Sequence, residues 1–133
     1  MSKYTIENDR EYEIWGRRCK IKLIFDCYAG EDIDAIQEKS VKDFEANIES
    51  YTQRGLKEIK RYIIENYKRN IDDVTIPNIF KYVVPKTIYV SKDPSKKKVI
   101  GILCYFKFDD ENGIAVKFVD GQVKEIGGEQ IIL

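Results

Sequence analysis

Few residues in this sequence could do chemistry, and histidine is not among them. Without an imidazole there is no Ser-His-Asp or Cys-His nucleophile. There is also no histidine metal ligand, and the commonest acid/base near neutral pH is missing. Cys19, Cys27 and Cys104 stand at no metal-ligand spacing, and each falls in a stretch with strand character. A thiol on the core side of a strand behaves as a small buried hydrophobe, which suits a reducing cytosol. The glycines form neither Gly-x-Gly-x-x-Gly nor a Gly-x-x-x-x-Gly-Lys phosphate loop. Asp109-Asp110-Glu111-Asn112-Gly113 is rich enough in carboxylate for a hard cation. It lacks the spacing and the distal glutamate of a calcium loop, and reads as a turn with solvated charge. No cofactor, no metal and no enzymatic activity are expected.

What remains is charge and surface. The chain carries 23 basic and 23 acidic residues, unevenly spread. Residues 1–53 hold 8 Lys/Arg against 12 Asp/Glu, residues 54–98 hold 12 against 5, and residues 99–133 hold 3 against 6. The basic middle suggests a nucleic-acid or anion-binding module using the stretch 54–98. Its candidates are Arg54, Lys57, Lys60, Arg61, Lys68 and Arg69, of which Lys57, Lys60, Arg61 and Lys68 share a helix face. Glu58 and Glu65 interrupt that face. Tyr105 and Trp15 could stack a base, but no aromatic-plus-basic motif shares one strand, so both read as packing residues.

The elements that position these residues are clearest in the last third. Val99–Phe108, Ile114–Val119 and Gln122–Ile126 read as an antiparallel meander, with turns at Asp109–Gly113 and Asp120-Gly121. A loop of Asp109–Gly113 sets Phe108 opposite Ile114, Phe106 opposite Val116 and Cys104 opposite Phe118. A two-residue turn at Asp120-Gly121 puts Lys117 opposite Lys124, which is unfavourable; a three-residue turn puts it opposite Glu125. Ile100, Ile102, Cys104 and Phe106 share one face, and Val99, Gly101, Leu103 and Tyr105 the other. A strand apolar on both faces is an inner strand, so both faces need cover.

Cys19–Cys27 alternates as a half-buried strand, and residues 4–15 supply one or two short strands. Asp34 and Gln37 form a capping box that opens one long helix to about Arg69, with a kink near Thr52–Gly55. Gly55 alternatively allows close approach to the sheet. Ile76–Val84 reads as a short helix ended by Pro85, and Lys86–Ser91 as a strand.

The fold class is α+β: residues 1–133 form a single domain with an antiparallel sheet of about five or six strands and one long amphipathic helix on one face. The expected core is Ile21, Leu23, Phe25, Phe44, Ile48, Ile59, Ile63, Ile102, Cys104, Phe106, Val116 and Phe118. At this length and with 43% hydrophobic residues, the core needs no disulfide. The first residues contain no apolar leader and no run long enough to cross a membrane, so a cytoplasmic protein is expected.

One helix covers one sheet face. The second face, with Val99, Leu103, Tyr105, Ile24 and Val119, then needs the N-terminal segment, the 76–84 helix or another chain. Beside it, Asp109, Asp110, Glu111 and Asp120 would meet a basic partner. The expected site is therefore Asp109, Asp110, Glu111, Asp120, Leu103 and Tyr105. Its occupant is a protein partner, such as a basic toxin domain, or a second copy in a homodimer.

The string from Phe108 to Ile132, with Asp109-Asp-Glu-Asn-Gly113, Asp120-Gly121 and Ile126-Gly-Gly-Glu-Gln130, resembles the ending of a bacterial family known only as a domain of unknown function. That family often has His where Asn112 stands and ends in Gln-Asp where this chain has Glu129-Gln130. The resemblance implies a small cytosolic protein similar to the immunity partners of bacterial toxins. It implies no active site.

Overall fold

The computed structural model describes residues 3–133. A six-stranded sheet runs in sequence order: β1 (Lys3–Ile14), β2 (Arg17–Tyr28), β3 (Val83–Ser91), β4 (Val99–Phe106), β5 (Ile114–Val119) and β6 (Gln122–Gly127). All neighbours are antiparallel except β2 and β3. Between that parallel pair the chain crosses over through α1 (Ala35–Ala46) and α2 (Ile48–Tyr67), since parallel strands cannot be joined by a tight turn. The architecture is α+β.

The N-terminal half departs from expectation in scale. Instead of one or two short strands, β1 is a 12-residue strand paired along its length with β2. Trp15-Gly16 makes the two-residue turn, both residues having positive φ. The sequence gives little sign of this, because tryptophan is not a usual residue there. Trp15 is held by its indole Nε1, which donates to Thr52 O at 2.7 Å.

The long helix is two helices. Its break lies at Asn47 (φ −125°, ψ 31°), not near Gly55. Asn47 turns its own amide onto Asp43, and its backbone N–H donates to the Asp43 and Phe44 carbonyls. Gly55 serves the other purpose: the position of its absent Cβ lies 3.5 Å from Ile102, with Phe118 and Val116 just beyond. The capping box is present. Asp34 Oδ1 accepts from Gln37 N at 2.8 Å, and Gln37 Oε1 accepts from Asp34 N at 3.0 Å.

The helices cover one face. Phe44, Ile59, Ile63, Ile88, Ile102, Phe106, Val116 and Phe118 are fully or almost fully enclosed there. Each such side chain contributes on the order of 2 kcal/mol by leaving water. Of the expected core, Ile48 alone stays half-buried. Tyr51 stacks on Phe118 with ring centroids 4.9 Å apart and donates to Asp43, whose carboxyl is held below its usual range mainly by that bond.

Three local readings change. The short helix at 76–84 is a 3-10 turn at Ile79–Lys81. Val83 and Val84 already belong to β3, opposite Phe106 and Tyr105. Pro85 lies inside the strand because the register shifts between Pro85 and Thr87, where a missing N–H is tolerated. In the meander, Ile114 pairs with Cys104, Val116 with Ile102 and Phe118 with Ile100. The slip is even, so every side chain keeps its face. At the last turn both alternatives hold in part. Asp120-Gly121 is a two-residue turn with Val119 opposite Gln122, and an irregularity between Lys117 and Phe118 sets Lys117 opposite Glu125. Asp120 and Gly121 both have positive φ, as this turn requires.

The second face has a cover the sequence reading did not assign. The C-terminal 3-10 turn Glu129–Ile131 folds back so that Ile132 packs among Tyr89, Val99, Leu103 and Ala115. Gly101 is what lets it in, since a Cβ there would lie 2.8 Å from Ile132 Cγ1.

Gln37 joins the layers. It is 1% exposed, and its Nε2 donates to Asp26 O at 2.7 Å and Val90 O at 3.2 Å. Those carbonyls lie at the end of the β2–β3 pairing, which stops at Phe25 and Val90. Replacing Gln37 with leucine strands both carbonyls and half of the capping box. The expected cost is about 3 kcal/mol, read as a lower urea midpoint. A midpoint equal to wild type would show that the carbonyls find other partners.

Candidate interaction surface

The expected site residues do not come together. Asp109, Asp110 and Glu111 precede β5 and Asp120 follows it, so the six-residue strand separates them by roughly 20 Å. Asp109 is used within its loop: Oδ1 accepts from Asn112 N at 3.1 Å, and both its oxygens accept from Asn112 Nδ2. Asp120 Oδ1 accepts from Lys98 N at 2.9 Å and ties the β5–β6 turn to the chain entering β4. Asp110 and Glu111 are exposed. Leu103 is 3% exposed beneath Ile132, so the apolar second face that was to be offered to a partner at Leu103 is closed within the chain. Tyr105 is 61% exposed.

The basic helix residues also diverge. Arg54 reaches Gly121 O and lies over the rings of Tyr51 and Phe118. Arg61 is held between Glu58 and Glu65. Lys60 faces a depression beside Trp15.

The open part of the second face, over β2, β3 and β4, carries a different surface. Val84 pairs with Tyr105 across β3 and β4, and the two side chains are 44% and 61% exposed. Phe80, half-buried, stands next to them on the 3-10 turn before β3. Three depressions of about 450, 340 and 270 Å³ share Phe80; the first and last are also lined by Val84 and Tyr105, whereas the 340 Å³ one runs to Trp15, Leu56 and Lys60 on the helix side. The largest is bounded by Arg17, Arg18, Lys20, Lys22 and Lys86, and the smallest by Lys81 and Lys107. The result is an apolar ridge in a basic field.

Strand parity builds this field. Lys20 and Lys22 point away from Ile21 and Leu23, and Arg18 shares their side. Lys22 meets Asp9, and Arg18 meets Glu11 at 3.0 Å, both across the β1–β2 pairing. Glu7, Asp9, Glu11 and Glu13 make β1 an exposed acidic column beside the basic row. Lys86 pairs with Glu129 of the C-terminal turn and lies 4.9 Å from the Tyr105 ring. The Arg17 guanidinium lies 4.2 Å from the Phe80 ring. Arg17 and Lys20 have no carboxylate within ion-pair distance among the described residues.

A family model described as a domain of unknown function (DUF6985) matches residues 3–133. The chain belongs to the DUF6985 family. No curated protein and no solved structure matches it. In this DUF6985 chain, burial pushes the thiols of Cys19, Cys27 and Cys104 above the ordinary range. Among the described residues, no group of carboxylates and thiols is gathered to share a metal ion, and no helix is long and apolar enough to cross a membrane.

The ridge was hidden from sequence reasoning for a local reason. Arg17, Arg18, Lys20 and Lys22 lie in the half of the chain whose total charge is negative, and the acids that offset them sit on other strands. The period-two spacing of Arg18, Lys20 and Lys22 was the available signal. Val84 reads as the end of a short helix, and nothing in its local sequence places it beside Tyr105.

The acids differ in a measurable way. Asp109→Ala and Asp120→Ala each remove a turn-closing bond and should lower stability by about 1 kcal/mol in urea unfolding. Asp110→Asn and Glu111→Gln should stay within about 0.5 kcal/mol of wild type. Equal effects at all positions would contradict this division.

Proposed function

We propose that this DUF6985 chain is a non-enzymatic interaction protein that captures another protein on the open face of its sheet. Neutralisation of a toxin by an immunity protein is the specific form of that activity. The observation that carries the reading is the exposed pair Val84 and Tyr105 on adjacent inner strands. Everything else apolar on the sheet's second face is buried or half-buried beneath or beside the C-terminal turn. Tyrosine presents a large, stiff apolar surface with one polar tip, and it is over-represented among the residues that dominate protein interfaces. The two depressions that Phe80 shares with Val84 and Tyr105 give a partner's side chains somewhere to enter.

Nucleic-acid binding is the second reading, and the row Arg18, Lys20 and Lys22 favours it. These cations repeat about every 6.7 Å along β2. The carboxylates of Glu7, Asp9, Glu11 and Glu13 run parallel to that row and repel a strand of phosphates laid along it.

The chain purified gently from its native cell should carry a stoichiometric protein companion. Tyr105→Ala should weaken the isolated pair by about 30-fold, near 2 kcal/mol, in titration calorimetry, while the melting temperature stays unchanged. A companion that binds Tyr105→Ala as well as wild type would place the interface elsewhere. Co-purification of nucleic acid alone would favour the second reading.

A further inference from the structure

We infer that the segment seated on the Phe80–Val84–Tyr105 ridge is acidic, a stretch of protein that sets carboxylates against Arg17 and Lys20 and an apolar side chain against Tyr105. This rests on the interaction reading above and reverses the sign of partner expected from the acidic loop.

Charge complementarity carries the inference. Arg17 and Lys20 lack carboxylate partners among the described residues, and both are exposed. Arg17 is not idle: its guanidinium is positioned over Phe80, which leaves its N–H groups to meet an incoming carboxylate. Lys86 is already poised against a carboxylate, that of Glu129, at the border of the ridge. The Glu129 pair therefore shows the geometry in which this surface holds an acid. Lys107 is exposed on the far side of Tyr105, so the cations flank the ridge on both sides.

The shape of the field selects a protein segment over a polyanion. The positive region is closed off by the β1 acids on one side and by Asp110 and Glu129 on others. A short acidic segment fits inside those borders, whereas a continuous phosphate chain must cross one of them. At about 0.1 M salt the screening length is about 10 Å, so these borders are felt across the ridge. Attraction of this kind acts chiefly on the rate of encounter and on the choice of partner.

The test is selection from a random peptide library displayed on phage, panned on the immobilised full chain and depleted on the Arg17→Ser/Lys20→Ser double variant. Both positions are exposed, and melting curves confirm that the variant folds. Enriched peptides should be net acidic with an aromatic or aliphatic residue among the acids. A synthetic representative should bind the double variant and Tyr105→Ala at least about tenfold more weakly than wild type, and lose affinity as salt rises. Enrichment of neutral or basic peptides, or of none that distinguish the double variant, overturns the inference. Basic peptides that still require Tyr105 would sink the acidic partner alone and leave the interaction reading standing. Salt-dependent retention of oligothymidine, lost in the double variant, would sink both.

Discussion

The structure depends on how a chain that must cross over between parallel strands seals the junction. β2 and β3 are the parallel neighbours in an otherwise antiparallel sheet, and their ladder runs only from Lys22 to Phe25 and from Thr87 to Val90. Beyond it, backbone carbonyls point into the interior, where an unpaired polar group is costly. Gln37 answers both of them while its other amide atom fastens the start of α1. One buried side chain thus fixes where the helical layer begins and where the two halves of the sheet meet. The β1–β2 hairpin on one side and the β3–β6 meander on the other are local structures. This joint makes them one sheet.

That placement decides what the second face looks like. With both helices on one side, the other side is divided. Over β4 and β5 the C-terminal turn lays Ile132 onto Gly101 and Leu103. Over the Arg17–Lys22 part of β2 and the Val84 end of β3, the described residues leave the strands covered chiefly by their own charged side chains. Tyr105 stands at the border between the two regions, with Lys86 reaching over its ring from one side and the closed cluster behind it. The ridge is what remains when a short tail covers part of a wide face.

Much of this was legible in the sequence, and the failures have physical causes. Alternation in Cys19–Cys27 and Val99–Phe106 assigned faces correctly, because side-chain parity survives an even slip of register. The register itself did not survive, since Lys107 and Phe108 left the strand to lengthen the loop and Phe108 went to pack against Tyr67 and Tyr82. The break at Asn47 leaves no sequence signal because asparagine is tolerated within a helix and shows its preference only when Asp43 offers it a partner. The cover over Leu103 is not legible because an apolar tail of a few residues has no period to read. The acidic cluster was plain in the sequence, yet Asp109 and Asp120 turned out to be turn-closing residues at opposite ends of a strand. Legibility was good for anything set by one strand or helix and poor for anything that needed two distant segments to meet.

The acidic column on β1 has a consequence of its own. β1 ends the sheet, and among the described residues no strand neighbours one side of its 12-residue backbone. Such an edge is a template on which a second molecule can continue the sheet, and repetition of that step makes a fibre. Two copies meeting there antiparallel about a two-fold axis would bring Glu7, Asp9, Glu11 and Glu13 of one against the same column of the other. The basic row that neutralises Asp9 and Glu11 lies on β2, one strand back from the contact. The column therefore insulates the edge against pairing with a second copy. Salt that screens like charges weakens that insulation, while the open edge remains.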